Sequence, residues 1–199
     1  MLGGLFGGGD SELKFWNWFT ENNDQIASIC DGNLLIQPKL DKQLKKYDKS
    51  LGYELVKNSA GENLFYISTK FVREVIPTVI NLVNAAPEIP NWKIHKFIPK
   101  KNIHIPLSWN ALEIKQEELG FEYTLYKSQV HLRVYIKGYD MKDERHRMLA
   151  VNFLKTAFGE FDFITKIGAL EYVPYATASR EKNIVTLSEL IEIVDNEVR

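Results

Sequence analysis

The spacing of apolar residues along this chain switches between a helical period near 3.6 and a strand period of 2, and one order of switching occurs twice. Each time an alternating segment is broken by a turn, a helical stripe follows, and a short apolar run ends at proline. Residues 52–99 carry the pattern once and residues 120–174 carry it again. In the first copy Gly52-Tyr-Glu-Leu-Val-Lys57 and Asn63-Leu-Phe-Tyr-Ile-Ser68 flank the turn Asn58-Ser-Ala-Gly61, a hairpin signal rich in aromatic and β-branched residues. Val72, Val75, Ile76, Val79, Ile80 and Val83 then repeat at helical spacing. Pro77 implies either a short turn over 70–75 followed by a helix from 76, or one kinked helix. Trp92-Lys-Ile-His-Lys-Phe-Ile98 reads as a strand closed by Pro99.

The second copy is clearer. Phe121, Tyr123 and Leu125 alternate with Glu122, Thr124 and Tyr126; beyond a Lys127-Ser-Gln129 turn, Val130, Leu132, Val134 and Ile136 alternate with His131, Arg133, Tyr135 and Lys137. Asp140 is expected to cap a helix that runs to Phe158 and stops at Gly159. Phe161 to Val173 reads as a long strand with a bulge or bend at Gly168, ended by Pro174. Residues 99–119 carry little signal beyond a short strand near Leu112 to Ile114.

Two helices are expected ahead of the first copy. One, of about 19 residues, starts at Asp10 or Ser11 and places Phe15, Phe19, Ile26, Ile29 and Cys30 on one arc flanked by Trp16 and Trp18. The other begins near Pro38, with Leu40, Leu44, Tyr47 and Leu51 on one face and Lys39, Lys42, Lys45, Lys46 and Lys49 on the other, partly offset by Asp41 and Asp48. A last helix follows the polar stretch from Ala176 to Asn183. Thr186 and Glu189 form its capping box, and Leu187, Leu190, Ile191, Val194 and Val198 give it an apolar stripe that docks on the body of the protein. The fold class is therefore α+β: two β-hairpin-helix-strand repeats forming a mostly antiparallel sheet with helices on one face, plus two N-terminal helices and one C-terminal helix. Because residues 99–119 lack a Gly/Ser/Pro-rich composition, residues 11–199 are expected to form a single domain behind a flexible glycine-rich tail at 1–10.

Composition narrows the function classes without choosing among them. The 199 residues are 45% hydrophobic and 12% aromatic, enough for a buried core without staples. A lone cysteine, Cys30, is read as a buried thiol and suits a reducing, cytoplasmic compartment. Met1-Leu-Gly-Gly-Leu-Phe-Gly-Gly-Gly9 has neither the basic region nor the continuous apolar core of a secretory signal, and Leu2 stands where myristoylation needs glycine. No apolar stretch approaches the length of a membrane span. The formal charge of −1 argues against a global attraction to nucleic acid or acidic lipid, so such binding would need a local patch.

Three short motifs resemble those of an uncharacterised bacterial protein family, a domain of unknown function: Phe15-Trp-Asn-Trp-Phe19; Pro87-Glu-Ile-Pro-Asn-Trp-Lys93 with Phe97-Ile-Pro99; and Gly159-Glu-Phe-Asp162 with Ile167-Gly168 and Glu171. The resemblance spans roughly residues 13–174. It implies no activity and assigns no site residues.

Catalytic signals are weak throughout. The chain has no cysteine pair or H-E-x-x-H helix for zinc, no nucleophile elbow and no phosphate-binding glycine loop, and His95, His104, His131 and His146 are scattered. No catalytic residue, metal or cofactor is assigned. Negative charge at Asp143-Glu144 suits the first turn of a helix. The strongest candidate surface is the polar side of the second hairpin, where His131, Arg133, Tyr135 and Lys137 project beside Tyr126; Trp18 is added as the tryptophan expected to be partly exposed. The leading expectation is a non-enzymatic, cytoplasmic protein-binding module, an adaptor or an immunity-type inhibitor, whose partner is an unknown protein. The alternative is a small-molecule binder or enzyme with a pocket between the sheet and the N-terminal helices, lined by Trp16, Trp92 and a histidine.

Overall fold

Two hairpins nucleate two separate sheets in the computed structural model, which describes residues 9–103, 105–175 and 183–198. The first is β1 (Gly52–Lys57) against β2 (Asn63–Ser68), antiparallel, with Leu55 opposite Phe65. The second is β6 (Leu119–Tyr126) against β7 (Gln129–Ile136), also antiparallel, with Glu122 opposite Arg133. Each gains a third strand parallel to its second: β3 (Trp92–Lys96) pairs with β2, and β8 (Ile167–Pro174) pairs with β7. The sheet orders are β1-β2-β3 and β6-β7-β8. The class is α+β, and each sheet combines one antiparallel with one parallel pairing.

The copies share no sheet. The chain divides into two compact units, Met1–Ile98 and Pro99–Arg199. The physical reason is that each unit closes its own core: the first gathers Phe15, Trp16, Phe19, Leu40, Phe65, Ile67, Leu82 and Trp92, the second Phe121, Val130, Val134, Phe153, Leu154, Leu190 and Val194. Residues 99–119 hold a small hairpin, β4 (Leu107–Trp109) against β5 (Leu112–Ile114), the latter being the short strand expected there.

In the first unit the N-terminal helix is shorter than its apolar spacing implies. The first helix, α1, spans Gly9–Glu21, and Asn22 ends it by donating its side-chain amide to the Trp18 carbonyl at 2.7 Å. A short α2 (Asn23–Ala27) and a 3₁₀ turn over Ser28–Asp31 carry the chain onward, leaving Cys30 half-buried rather than buried. Desolvation still raises the thiol's pKa. The next helix, α3 (Gln37–Tyr47), starts at Ile36 with Pro38 in its first turn, where the missing N–H has no helical partner to lose. At Pro77 the outcome is a 3₁₀ turn over Arg73–Val75 followed by α4 (Ile76–Asn84). Rings interleave in the core: Phe19 stacks on Phe65 at 5.1 Å and meets Trp92 edge-on at 4.9 Å, while Trp16 donates its indole N–H to the Leu82 carbonyl at 2.8 Å. Aromatic pairs in such geometries add about 0.5–1.5 kcal/mol each beyond area burial.

In the second unit α5 (Glu144–Lys166) is capped by Asp143, whose carboxylate accepts from the Arg145 N–H, and not by Asp140. Hydrogen bonding from the Arg145 side chain holds the Asp143 carboxyl down at about 2. Gly159 does not stop this helix. It breaks it, at φ 70° and ψ 173°, and helical residues resume to Lys166, so the strand expected from Phe161 begins only at Ile167. The final helix, α6 (Leu187–Glu197), has the expected capping box and buries Leu187, Leu190 and Val194 in the core of its own unit. The glycine-rich segment over 1–8, with Leu2, Leu5 and Phe6, and the polar stretch over 176–182 lie outside the described residues.

The backbone at Gly159 is open to glycine and almost closed to L-residues. Gly159→Ala is expected to destabilise the second unit by about 1–3 kcal/mol, read as a lower urea midpoint with an unchanged slope.

Candidate interaction face

Alternation along β7 sends Val130, Leu132 and Val134 into the core and His131, Arg133 and Tyr135 to the opposite face of the sheet. The register then sets their neighbours. The hydrophobic pattern assigns three residues to the hairpin turn, but two suffice. Lys127 takes φ 54°, and Gln129 pairs with Tyr126. Counting from that pair puts Thr124 opposite His131, Glu122 opposite Arg133 and Gly120 opposite Tyr135. On the far side of β7, Glu171 of β8 stands opposite Arg133, and the register shifts between Val130 and Leu132, beside Gly168.

An ion-paired ladder results across all three strands. The Arg133 Nε donates to Glu171 at 2.8 Å and its Nη1 to Glu122 at 3.3 Å, while the Tyr135 hydroxyl donates to the same Glu122 oxygen at 2.9 Å. The hydrogen bond to Glu171, then the charge of that carboxylate, raises the pKa of the guanidinium. Each pair is half-exposed and individually weak, but one guanidinium shared by two carboxylates ties three side chains together. Glu122, Thr124, His131, Arg133, Ala169 and Glu171 border a shallow cleft of about 310 Å³ beside it.

The six residues singled out from the sequence fare differently here. Tyr126 is 57% exposed and meets the half-buried His131 ring edge-on at 5.7 Å, with the Lys127 ammonium 5.3 Å from its centroid. Arg133 is on the face but neutralised. Lys137 is exposed, 3.7 Å from Glu118. Tyr135 is a correction: it is 1% exposed, because Tyr175 packs over it at 6.1 Å and also covers Gly120, where a Cβ would meet the Tyr175 ring at 3.1 Å. Trp18 belongs to the first unit and is half-buried against its core. The free cationic-aromatic stripe expected from β7 alone is therefore a carboxylate-rich ladder, since Glu122 and Glu171 outnumber Arg133. Those two acids are what the sequence reading misses, whereas the bulge expected at Gly168 coincides with the register shift. Glu122 is recoverable by counting back from a two-residue turn; Glu171 requires knowing that β8 runs parallel to β7.

The remaining candidates resolve into packing. Trp16 and Trp92 are 1% and 7% exposed; Trp92 and His95, with Val83, Ile89 and Ile94, line an open cavity of about 700 Å³ at the end of α4 that Trp16 does not border. His95 stacks on Tyr66 at 4.9 Å in the first sheet. His146 is buried in α5, its Nδ1 3.9 Å from Asp143 and without a hydrogen-bond partner among the described residues; His104 lies outside them. Among the described residues no three His, Cys, Asp or Glu side chains are grouped to hold a metal ion. No protein-family model, curated protein or solved structure matches this chain.

Gly168 keeps the His131 ring in place, since a Cβ there would stand 2.8 Å from its Cδ2 and Nε2. Gly168→Ala is expected to displace the imidazole, abolish its cross-peak with Tyr126 in nuclear Overhauser spectra, and lower stability by about 1–3 kcal/mol. A retained cross-peak would show that the ring is not seated on that glycine.

Proposed function

We propose that this chain is a non-enzymatic, cytoplasmic protein-binding module, an adaptor or an immunity-type inhibitor, that engages its partner through the outward face of β6-β7-β8. The observation that carries this reading is the ladder of Glu122, Arg133 and Glu171, cross-braced by Tyr135. A surface whose charged side chains are already held in one geometry loses little conformational freedom on binding. Tyr126 and His131 at its margin supply ring area of the kind enriched in protein interfaces.

Electrostatics narrows the partner further. The ladder sets two carboxylates around one guanidinium, with Lys127 and Lys137 at its margin, so the face suits a protein surface that offers hydrogen-bond donors and charges of both signs. The shallow cleft, bordered by sheet residues of three strands, suits a broad contact better than enclosure of a small ligand.

Thr124 and Tyr126 are exposed, so both can be changed without disturbing the core. Native mass spectrometry of untagged protein purified gently from its own host is expected to show a second polypeptide at fixed stoichiometry. Thr124→Arg with Tyr126→Ala is expected to weaken that complex at least about tenfold while the urea midpoint stays unchanged. Undiminished binding would remove this face as the interface.

A further inference from the structure

One strongly charged surface of the first unit takes no part in that face. Lys39, Lys42, Lys45 and Lys46 lie within an arc of roughly 120° on α3, opposite the buried Leu40 and Leu44, and Lys49 follows just past the helix. All five are exposed, and none forms an ion pair with another described residue. Asp41 and Asp48 offset this face only in part, and both carboxylates are engaged by neighbouring groups. The Asp41 carboxylate accepts from the Tyr53 hydroxyl at 2.6 Å, and that of Asp48 from the Ser50 N–H at 2.7 Å. Neighbouring acids are likewise engaged: Asp31 pairs with Lys57 at 2.6 Å, and Glu12 accepts from the Tyr47 hydroxyl at 2.9 Å. A chain of formal charge −1 thus carries five ammonium groups against two carboxylates along this one helix face, an excess of positive charge.

The turn leading into that helix adds a second kind of group. Leu34 is 57% exposed and Leu35 is 87% exposed, the latter one turn ahead of Lys39. Neither joins the core of the first unit. Aliphatic side chains held in water beside a lysine face are of no use to nucleic acid, which would reward rings that stack on bases. They match a lipid surface, where lysines meet anionic headgroups and leucines enter the acyl boundary.

We infer that α3 and the Leu34-Leu35 turn form a peripheral docking site for an anionic phospholipid bilayer. The chain rests on the surface, because among the described residues no helix is long and apolar enough to cross a membrane. Attraction to the headgroups brings the lysine face down, and burial of Leu35 gives the contact a component that salt does not screen. This site is independent of the sheet face proposed for the protein partner and stands whether or not that reading holds.

Co-sedimentation of the full chain with vesicles tests it. Binding is expected to phosphatidylcholine vesicles containing about one third phosphatidylserine, and not to pure phosphatidylcholine. Lys42→Glu with Lys46→Glu is expected to lower the partition coefficient at least about twentyfold. Leu35→Gln is expected to lower it several-fold while leaving the salt dependence unchanged. All three residues are exposed, so an unaltered near-ultraviolet circular dichroism spectrum verifies the fold of each variant. Sedimentation that is absent, or indifferent to the lysine substitutions, would overturn the proposal. So would loss on lysine substitution with full binding by Leu35→Gln, together with equal affinity for a single-stranded RNA, which would assign the patch to nucleic acid.

Discussion

A strand cannot pair in parallel with the one before it through a tight turn; the chain has to travel back over a face of the sheet. In both units the third strand pairs in parallel with the second, and a helix lies between them in sequence: α4 ahead of β3 and α5 ahead of β8. That single constraint organises each unit. In the second, the face crossed by α5 becomes the core, where Leu149, Phe153 and Leu154 meet Val130, Leu132 and Val134. The opposite face keeps its polar residues, and it is there that β8 brings Glu171 alongside Arg133.

The same parallel pairing explains the glycines that matter. Gly159, at a positive φ, lets helical residues continue beyond a break, so that the chain reaches Ile167 in position to pair with Val130. Gly168, beside the register shift, leaves room for the His131 ring. Neither is a simple terminator. One redirects a helix, and the other admits a side chain from the neighbouring strand. The first unit reaches its parallel strand differently, through a proline-rich turn after α4, and its rings, with Phe19 against both Phe65 and Trp92, do the packing that α5 does in the second.

The hairpins and the last helix's capping box were legible in the residues because they depend on neighbours a few positions apart, whereas the cap of α5 and the start of β8 were not. The two hairpins and the Thr186–Glu189 capping box need no tertiary information. Which apolar residues gather into each core was not legible, since it depends on which faces meet, and residues 99–119 carry an ordinary composition while holding a hairpin of their own. The candidate face was half legible. Alternation puts His131 and Arg133 on the polar side, but only the parallel register reveals that Arg133 is held between two carboxylates. Tyr135 shares their side of the strand yet is buried, because Tyr175 from beyond the end of β8 closes over it. Period-2 reasoning assigns a face and cannot say what covers it.

The most direct test of the sheet face as an interface is amide hydrogen exchange, read by mass spectrometry, on the chain with and without the polypeptide expected to co-purify with it. The account predicts added protection in peptides covering 119–136 and 167–174, with little change in those covering 34–49. Protection confined to the first unit, with residues 119–136 exchanging as in the free chain, would contradict it.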